Sequence, residues 1–178
     1  MNQQAPQSRT WRVALFIFAV AAIFWLGGVN IRAVIGNDML KPGTLEFETY
    51  LAPEAEREIF RLLSIASVVV IASYGVALVS SIVFLATSPF KMKEHGWMFM
   101  SALLFYICVP VEMFTMYLDG KMIYKEFFTT ADNETFRELF VARITALAGA
   151  PLIALLCYYT IIGLVVFQPF RKRQAPTA

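Results

Sequence analysis

Histidine and cysteine are scarce in this chain, one of the first and two of the second among 178 residues. A bis-histidine haem within one chain needs a second histidine, and a zinc site of ordinary type needs more ligands than His95 has around it. Cys108 and Cys157 both lie inside apolar runs, so they offer no extracellular disulfide framework. Charge is sparse too, at 16% of residues, and the formal net charge of +2 is too small and too scattered to argue for nucleic acid. Ser-His-Asp, Cys-His, HExxH and phosphate-loop patterns are missing. The expectation is a protein without a cofactor and without a metal, and a membrane enzyme ranks only third among the readings of its role.

What the chain has instead is apolar length. Hydrophobic residues make up 58% of it, well above the share in soluble domains. A bilayer core needs about 20 consecutive apolar residues per helix, and residues 11–35, 62–87, 97–117 and 144–167 supply four such runs. The first is too long for a secretory signal and has no convincing small-residue cleavage site before Asn30. It reads as a retained helix, in which Gly27-Gly28 would let a neighbouring backbone come close.

A second kind of signal is repetition. Glu54-Ala-Glu-Arg57-Glu58-Ile59-Phe60 and Glu134-Thr-Phe-Arg137-Glu138-Leu139-Phe140 share the pattern E-x-x-R-E-[IL]-F, eighty residues apart. The same offset places Lys41, Glu46, Phe47 and Thr49 on Lys121, Glu126, Phe127 and Thr129, and Pro89-Phe90 on Pro169-Phe170, without a gap. Duplication explains such a match better than composition does. The expected fold is therefore an all-α membrane protein whose four transmembrane helices form two tandem helical-hairpin repeats oriented in parallel.

The plan in detail is a cytoplasmic tail over 1–10, repeat 1 over 11–93 and repeat 2 over 97–173, with a basic cytoplasmic tail over 168–178. In repeat 1 a span at 11–35 leads through an outer loop at 36–52 to a helix at 53–87, followed by a cytoplasmic turn at 88–96. Pro53 suits a first helical turn, and Glu54, Glu56 and Glu58 favour its positive end. Thirty-five helical residues measure about 52 Å against about 30 Å of hydrocarbon, so the first turns must protrude. In repeat 2 a span at 97–117, a loop at 118–131 opened by an Asp119-Gly120 turn, and a helix at 132–167 capped by Asp132 follow the same scheme. The alternation of Thr44 to Leu51 and the apolar run Met122 to Phe128 predict two short strands. With the protruding ends of helices 2 and 4 they would form a small extracytoplasmic cap.

Lys and Arg are nearly balanced between the two sides, seven against eight. The seven (Arg9, Arg12, Lys91, Lys93, Arg171, Lys172, Arg173) are packed into short segments with one acid, Glu94, whereas the other side carries eleven acids besides Glu112. That places both termini in the cytoplasm and the chain in the cytoplasmic (plasma) membrane.

Three sets of residues are candidates for function. Glu112 is a carboxylate inside an apolar run, costly unless paired or protonated. Arg32 lies at its equivalent under the eighty-residue offset, and Arg61 and Arg143 enter their spans from the same side. Together Arg32, Arg61, Glu112 and Arg143 would either hold a lipid headgroup, an anionic ligand or a partner's acid, or simply bridge helices and reach the headgroups. Glu54, Arg57, Glu58, Glu134, Arg137 and Glu138, kept alike in both halves, are the expected partner contacts, although part of their pattern is intrahelical pairing. Small residues form the third set: Ala66, Ser73, Ala77 and Ser80 on the second span, Ala146, Gly149 and Ala150 on the fourth. They suit close helix packing, and Pro110 and Pro151 mark kinks. The favoured role is a non-enzymatic membrane subunit or scaffold, bound to other subunits or to copies of itself. A binder or carrier of a lipid, quinone or other small amphiphile between the repeats comes second.

Overall fold

The structure is a computed structural model, all-helical among the described residues, which are 9–90, 92 and 95–169. The tail over 1–8, the basic residues at 91 and 93 and the basic tail over 170–178 lie outside them. Six α-helices follow in order: α1 Thr10–Asp38, α2 Pro53–Thr87, α3 Gly96–Ile107, α4 Val109–Phe128, α5 Asn133–Ile144 and α6 Ala150–Phe167. Four helical stretches, Thr10–Asp38, Pro53–Thr87, Gly96–Phe128 and Asn133–Phe167, are long and apolar enough to cross a membrane. The chain divides into two compact units, one drawn from Met1–Thr87 and Met116–Arg143, the other from Ser88–Thr115 and Ile144–Ala178.

In the first unit α1 and α2 form an antiparallel hairpin. The buried residues of α1 are Ala14, Ala21, Trp25, Arg32 and Gly36, and those of α2 include Phe60, Leu63, Ser67, Val70, Tyr74, Ala77 and Ser81. Both stripes step by three, four or seven, which keeps one seam of each helix facing the other. Trp25 packs on Tyr74 with ring centroids 4.8 Å apart. A close approach occurs at Gly28, by a side chain and not by the neighbouring backbone expected, where an added Cβ would fall 2.7 Å from a Val70 methyl. A second one occurs at Gly36, where it would fall 2.5 Å from the Phe140 ring. Ser64, Ser67, Ser80 and Ser81 donate to carbonyls three or four residues back on α2, so their hydroxyls are satisfied within the helix.

Where α1 ends, α2 and α5 begin and α4 ends, one apolar core gathers Met39, Leu40, Phe60, Leu63, Met122, Phe136 and Phe140. Phe60 stacks on Phe136 at 5.5 Å and meets Phe140 edge-on at 6.2 Å. Phe47 of the first loop closes over them, 6.2 Å from Phe60 and 6.0 Å from Phe140.

The two expected strands are absent among the described residues. Residues 39–52 make a tight loop in which Pro42 and Gly43 turn the chain, Thr44 N–H donating to the Lys41 carbonyl at 3.0 Å with Gly43 at φ 74°. One antiparallel bridge, Leu40 to Phe47, is all the pairing it forms. Met122 to Phe128 is helical, because the expected turn at Asp119-Gly120 does not form and α4 continues through it. Leu118, Asp119 and Met122 are buried on one face of that helix, and the buried ion pairs of Asp119 fix it there. The helix that carries the third apolar run therefore continues past 117 to Phe128.

The second unit is built on α3 against α6. Met98, Ser101, Phe105 and Cys108 are buried at steps of three and four, and Phe105 meets Tyr158 at 6.2 Å. The helix is interrupted at Cys108, two residues before Pro110, in keeping with a ring that has no N–H to donate and crowds the preceding turn. The helix expected from 132 to 167 is broken more sharply. A single 3₁₀ turn, Ala146–Gly149, carries Leu147, Ala148 and Gly149 in the left-handed region at φ 50°, 54° and 86°. Pro151 then sits in the first turn of α6, where its missing N–H costs nothing. Ala146 and Ala150 thus do not share a helical face, and the small-residue motif expected there is not formed.

Candidate functional site

The most deeply buried charged residue of the first unit is Asp119, on which two arginines meet. Arg32 donates to both carboxylate oxygens, NH1 to Oδ2 at 2.8 Å and NH2 to Oδ1 at 2.7 Å. Arg143 Nε donates to the same Oδ1 at 2.7 Å. Arg32 is 5% exposed, Asp119 1% and Arg143 20%. Two guanidinium groups share one carboxylate, and Arg32 Nε has no acceptor among the described residues. Of the four residues expected to cluster, the structure brings Arg32 and Arg143 together. Arg61 is exposed and pairs with Glu58, one turn away on its own helix, at 3.3 Å. Glu112 lies in the first turn of α4, in the other unit, and the carboxylate paired with Arg32 is Asp119. Sequence reasoning set Asp119 aside as a turn residue; its place beside Leu118, three before Met122, was the available signal.

The residues of the repeated pattern behave in two ways. Arg137 forks onto Glu56 with Nε–Oε1 at 2.6 Å and NH2–Oε2 at 2.8 Å, the bidentate geometry that holds a carboxylate best. Asn133 donates to the Pro53 carbonyl at 2.9 Å and to Glu56 at 3.4 Å. Arg57 forms an ion pair with Glu126 at 2.6 Å, although its angles fall outside those of a directed hydrogen bond. Each arginine also lies over a ring, Arg57 over Phe136 at 4.4 Å and Arg137 over Phe47 at 5.2 Å. These two arginines are thus spent inside the chain. Glu54, Glu58, Glu134 and Glu138 are exposed. Arg137 also approaches Glu134 at 3.6 Å.

At the start of α5, Asp132 accepts from the Thr135 hydroxyl at 2.6 Å and from its backbone N–H at 3.0 Å, confirming it as the helix cap. The Thr135 hydroxyl first, then the backbone N–H, holds the Asp132 carboxyl below its ordinary value.

An open groove of about 740 Å³ runs between α4 and α5 within the first unit. Its walls include Tyr117, Lys121, Tyr124 and Lys125 from α4 and Glu138, Leu139 and Ala142 from α5. Lys121 Nζ stands 4.5 Å from the Tyr117 ring centroid. A smaller apolar crevice of about 320 Å³ lies along α1 and α2 at Val20, Ala21 and Ser73. No group of three or more His, Cys, Asp or Glu suited to a metal ion occurs among the described residues. Comparison with protein-family models, with curated proteins and with solved structures finds no match.

Proposed function

We propose that this chain is a non-enzymatic integral membrane subunit or scaffold of a larger membrane complex. The observation that carries the reading is the division of labour within the repeated pattern. Arg57 and Arg137 turn inward and lock the starts of α2 and α5 to the rest of the unit, while Glu54, Glu58, Glu134 and Glu138 on the same turns stay exposed. A base held by ion pairs to buried carboxylates and by stacked rings, whose exposed turns are rich in glutamate, is suited to docking a protein with basic residues.

In this reading the starts of α2 and α5 and the loop over 39–52 are the extracytoplasmic cap, and both termini lie in the cytoplasm. The two hairpins descend from one that was copied. The eighty-residue match supports that descent; the ion pairs do not follow it, since Arg57 pairs with Glu126 but Arg137 pairs with Glu56 and not with Glu46, the counterpart of Glu126. Copies of the same chain compete with a different subunit for the role of partner.

The test is purification of the tagged full-length protein from its own membrane in mild detergent, beside a variant carrying Glu54→Lys, Glu58→Lys, Glu134→Lys and Glu138→Lys. The expected result is a stoichiometric partner that the variant loses while keeping its thermal midpoint. A wild type that elutes as a lone monomer overturns the reading, as does a partner that the charge reversal leaves in place. Labelling of a Ser88→Cys variant from the outside would reverse the assigned orientation.

A further inference from the structure

We propose that the groove between α4 and α5 binds an anionic phospholipid, with the phosphate held by Lys121 and Lys125 and an acyl chain laid along Leu118, Leu139 and Ala142. The inference does not rest on the subunit reading, because it concerns a different ligand, although Glu138 borders both surfaces.

The groove's position relative to the apolar run comes first. About 20 helical residues cross the hydrocarbon, and counted from Trp97 they end near Tyr117. The groove begins there and extends one turn to Lys121 and a second to Lys125. That is the headgroup level, where tyrosines gather because one end of the ring is apolar and the other wet. Tyr117 and Tyr124 are both 58% exposed.

Charge is the second argument. Lys121 and Lys125 lie four apart on one helix, so their stems leave the same face about 6 Å apart. Neither has an ion-pair partner among the described residues, in a unit where Arg32, Arg57, Arg137 and Arg143 all do. The Tyr117 ring steers the Lys121 ammonium without neutralising it. One carboxylate, Glu138, stands on the facing wall, leaving a surplus of one positive charge for a phosphodiester.

The third argument is the floor. Leu118 lies one turn before Lys121 on α4, and Leu139 and Ala142 lie further along α5 than Thr135, so the lining gives the lysines an apolar base on the side of the apolar runs, the order in which a lipid presents its parts. A free anion has no use for that base, and a neutral lipid has none for the lysines.

The experiment uses the full-length protein in an uncharged detergent, with retention of phosphatidylglycerol, phosphatidylcholine and inorganic phosphate compared by native mass spectrometry. Phosphatidylglycerol is expected to be retained in preference to the other two. Each lysine near a membrane surface contributes about fivefold to such binding, so Lys121→Gln with Lys125→Gln should weaken it about 30-fold. Glu138→Gln should tighten it, since it removes the one opposing charge. Equal retention of phosphatidylcholine, indifference to the lysine pair, or full displacement by inorganic phosphate overturns the proposal. If the lysine variant does not yield monodisperse protein, Glu138→Gln decides: tighter binding supports the site, and unchanged or weaker binding overturns it. A dimer dissolved by the lysine changes, with no lipid retained, assigns the groove to a second copy instead and also overturns it.

Discussion

Replacing Asp119 with alanine would strip the Arg32 guanidinium, 5% exposed, of the carboxylate that accepts from both its terminal nitrogens. Removing one partner of a buried ion pair costs about 3–5 kcal/mol, since the remaining charge is neither hydrated nor compensated. In a chain of this length that corresponds to a fall in thermal midpoint of about 6–20 °C. Arg32→Met predicts a different outcome although it breaks the same contact. Asp119 keeps Arg143 at 2.7 Å, a buried guanidinium goes, and methionine fills much of its volume, so the loss should be about 1 kcal/mol or less. Adding Arg32→Met to Asp119→Ala should recover about 2 kcal/mol, because the stranded Arg32 cation goes. Tryptophan fluorescence during thermal unfolding in detergent is a suitable assay, with Trp25 packed on Tyr74 in the same unit as a native reporter. Equal losses from the two single changes, or a double change that is merely additive, would refute the view of Asp119 as the shared acceptor.

Other predictions test the rest of the unit. Glu56→Ala should cost about 1–3 kcal/mol, less than Asp119→Ala because Arg137 is 37% exposed and water takes up part of its charge; the same thermal scan measures it. Gly36→Ala should cost about 1–3 kcal/mol by driving a methyl into the Phe140 ring, whereas Gly27→Ala, with nothing within 4 Å, should be nearly neutral. The Asp132 carboxyl sits below its ordinary value in the folded chain, so its contribution is present above the unfolded value of about 3.9 and is lost as pH falls through the folded one. The gap in thermal midpoint between wild type and Asp132→Ala should therefore shrink on acidification below about pH 4, and a constant gap would count against the cap.

Much of the helical plan could be read from apolar periodicity and punctuation. Pro53 and Thr87 bound α2 as expected, Asp132 caps α5, the Pro42-Gly43 turn forms, and Gly28 is a point of close approach. What escaped was set by tertiary contact. Asp119-Gly120 has the local chemistry of a turn, but two arginines from distant segments hold the aspartate inside a continuous helix. Met122 to Phe128 has a strand-like composition, and the same contacts carry the helix through it. The left-handed run at Leu147 and Ala148 has no local signature at all, since neither residue favours positive φ; only Gly149 and Pro151 hinted at a break. The argument for a partner also changes footing. Retention of Arg57 and Arg137 in both halves has an internal explanation in Glu126 and Glu56, and the exposed glutamates alone bear on a partner.

The wiring of these pairs bears on how the protein is made. A ribosome delivers Arg32 long before Asp119, Glu56 long before Arg137, and Arg57 long before Glu126. The leading hairpin is therefore made before the groups that Arg32, Glu56 and Arg57 pair with, and a translation product stopped at Thr87 would stay without them. Completion of the later helices is what neutralises the earlier ones, so quality-control proteases should clear the amino-terminal half expressed alone and spare it when the carboxy-terminal half is supplied as a separate chain.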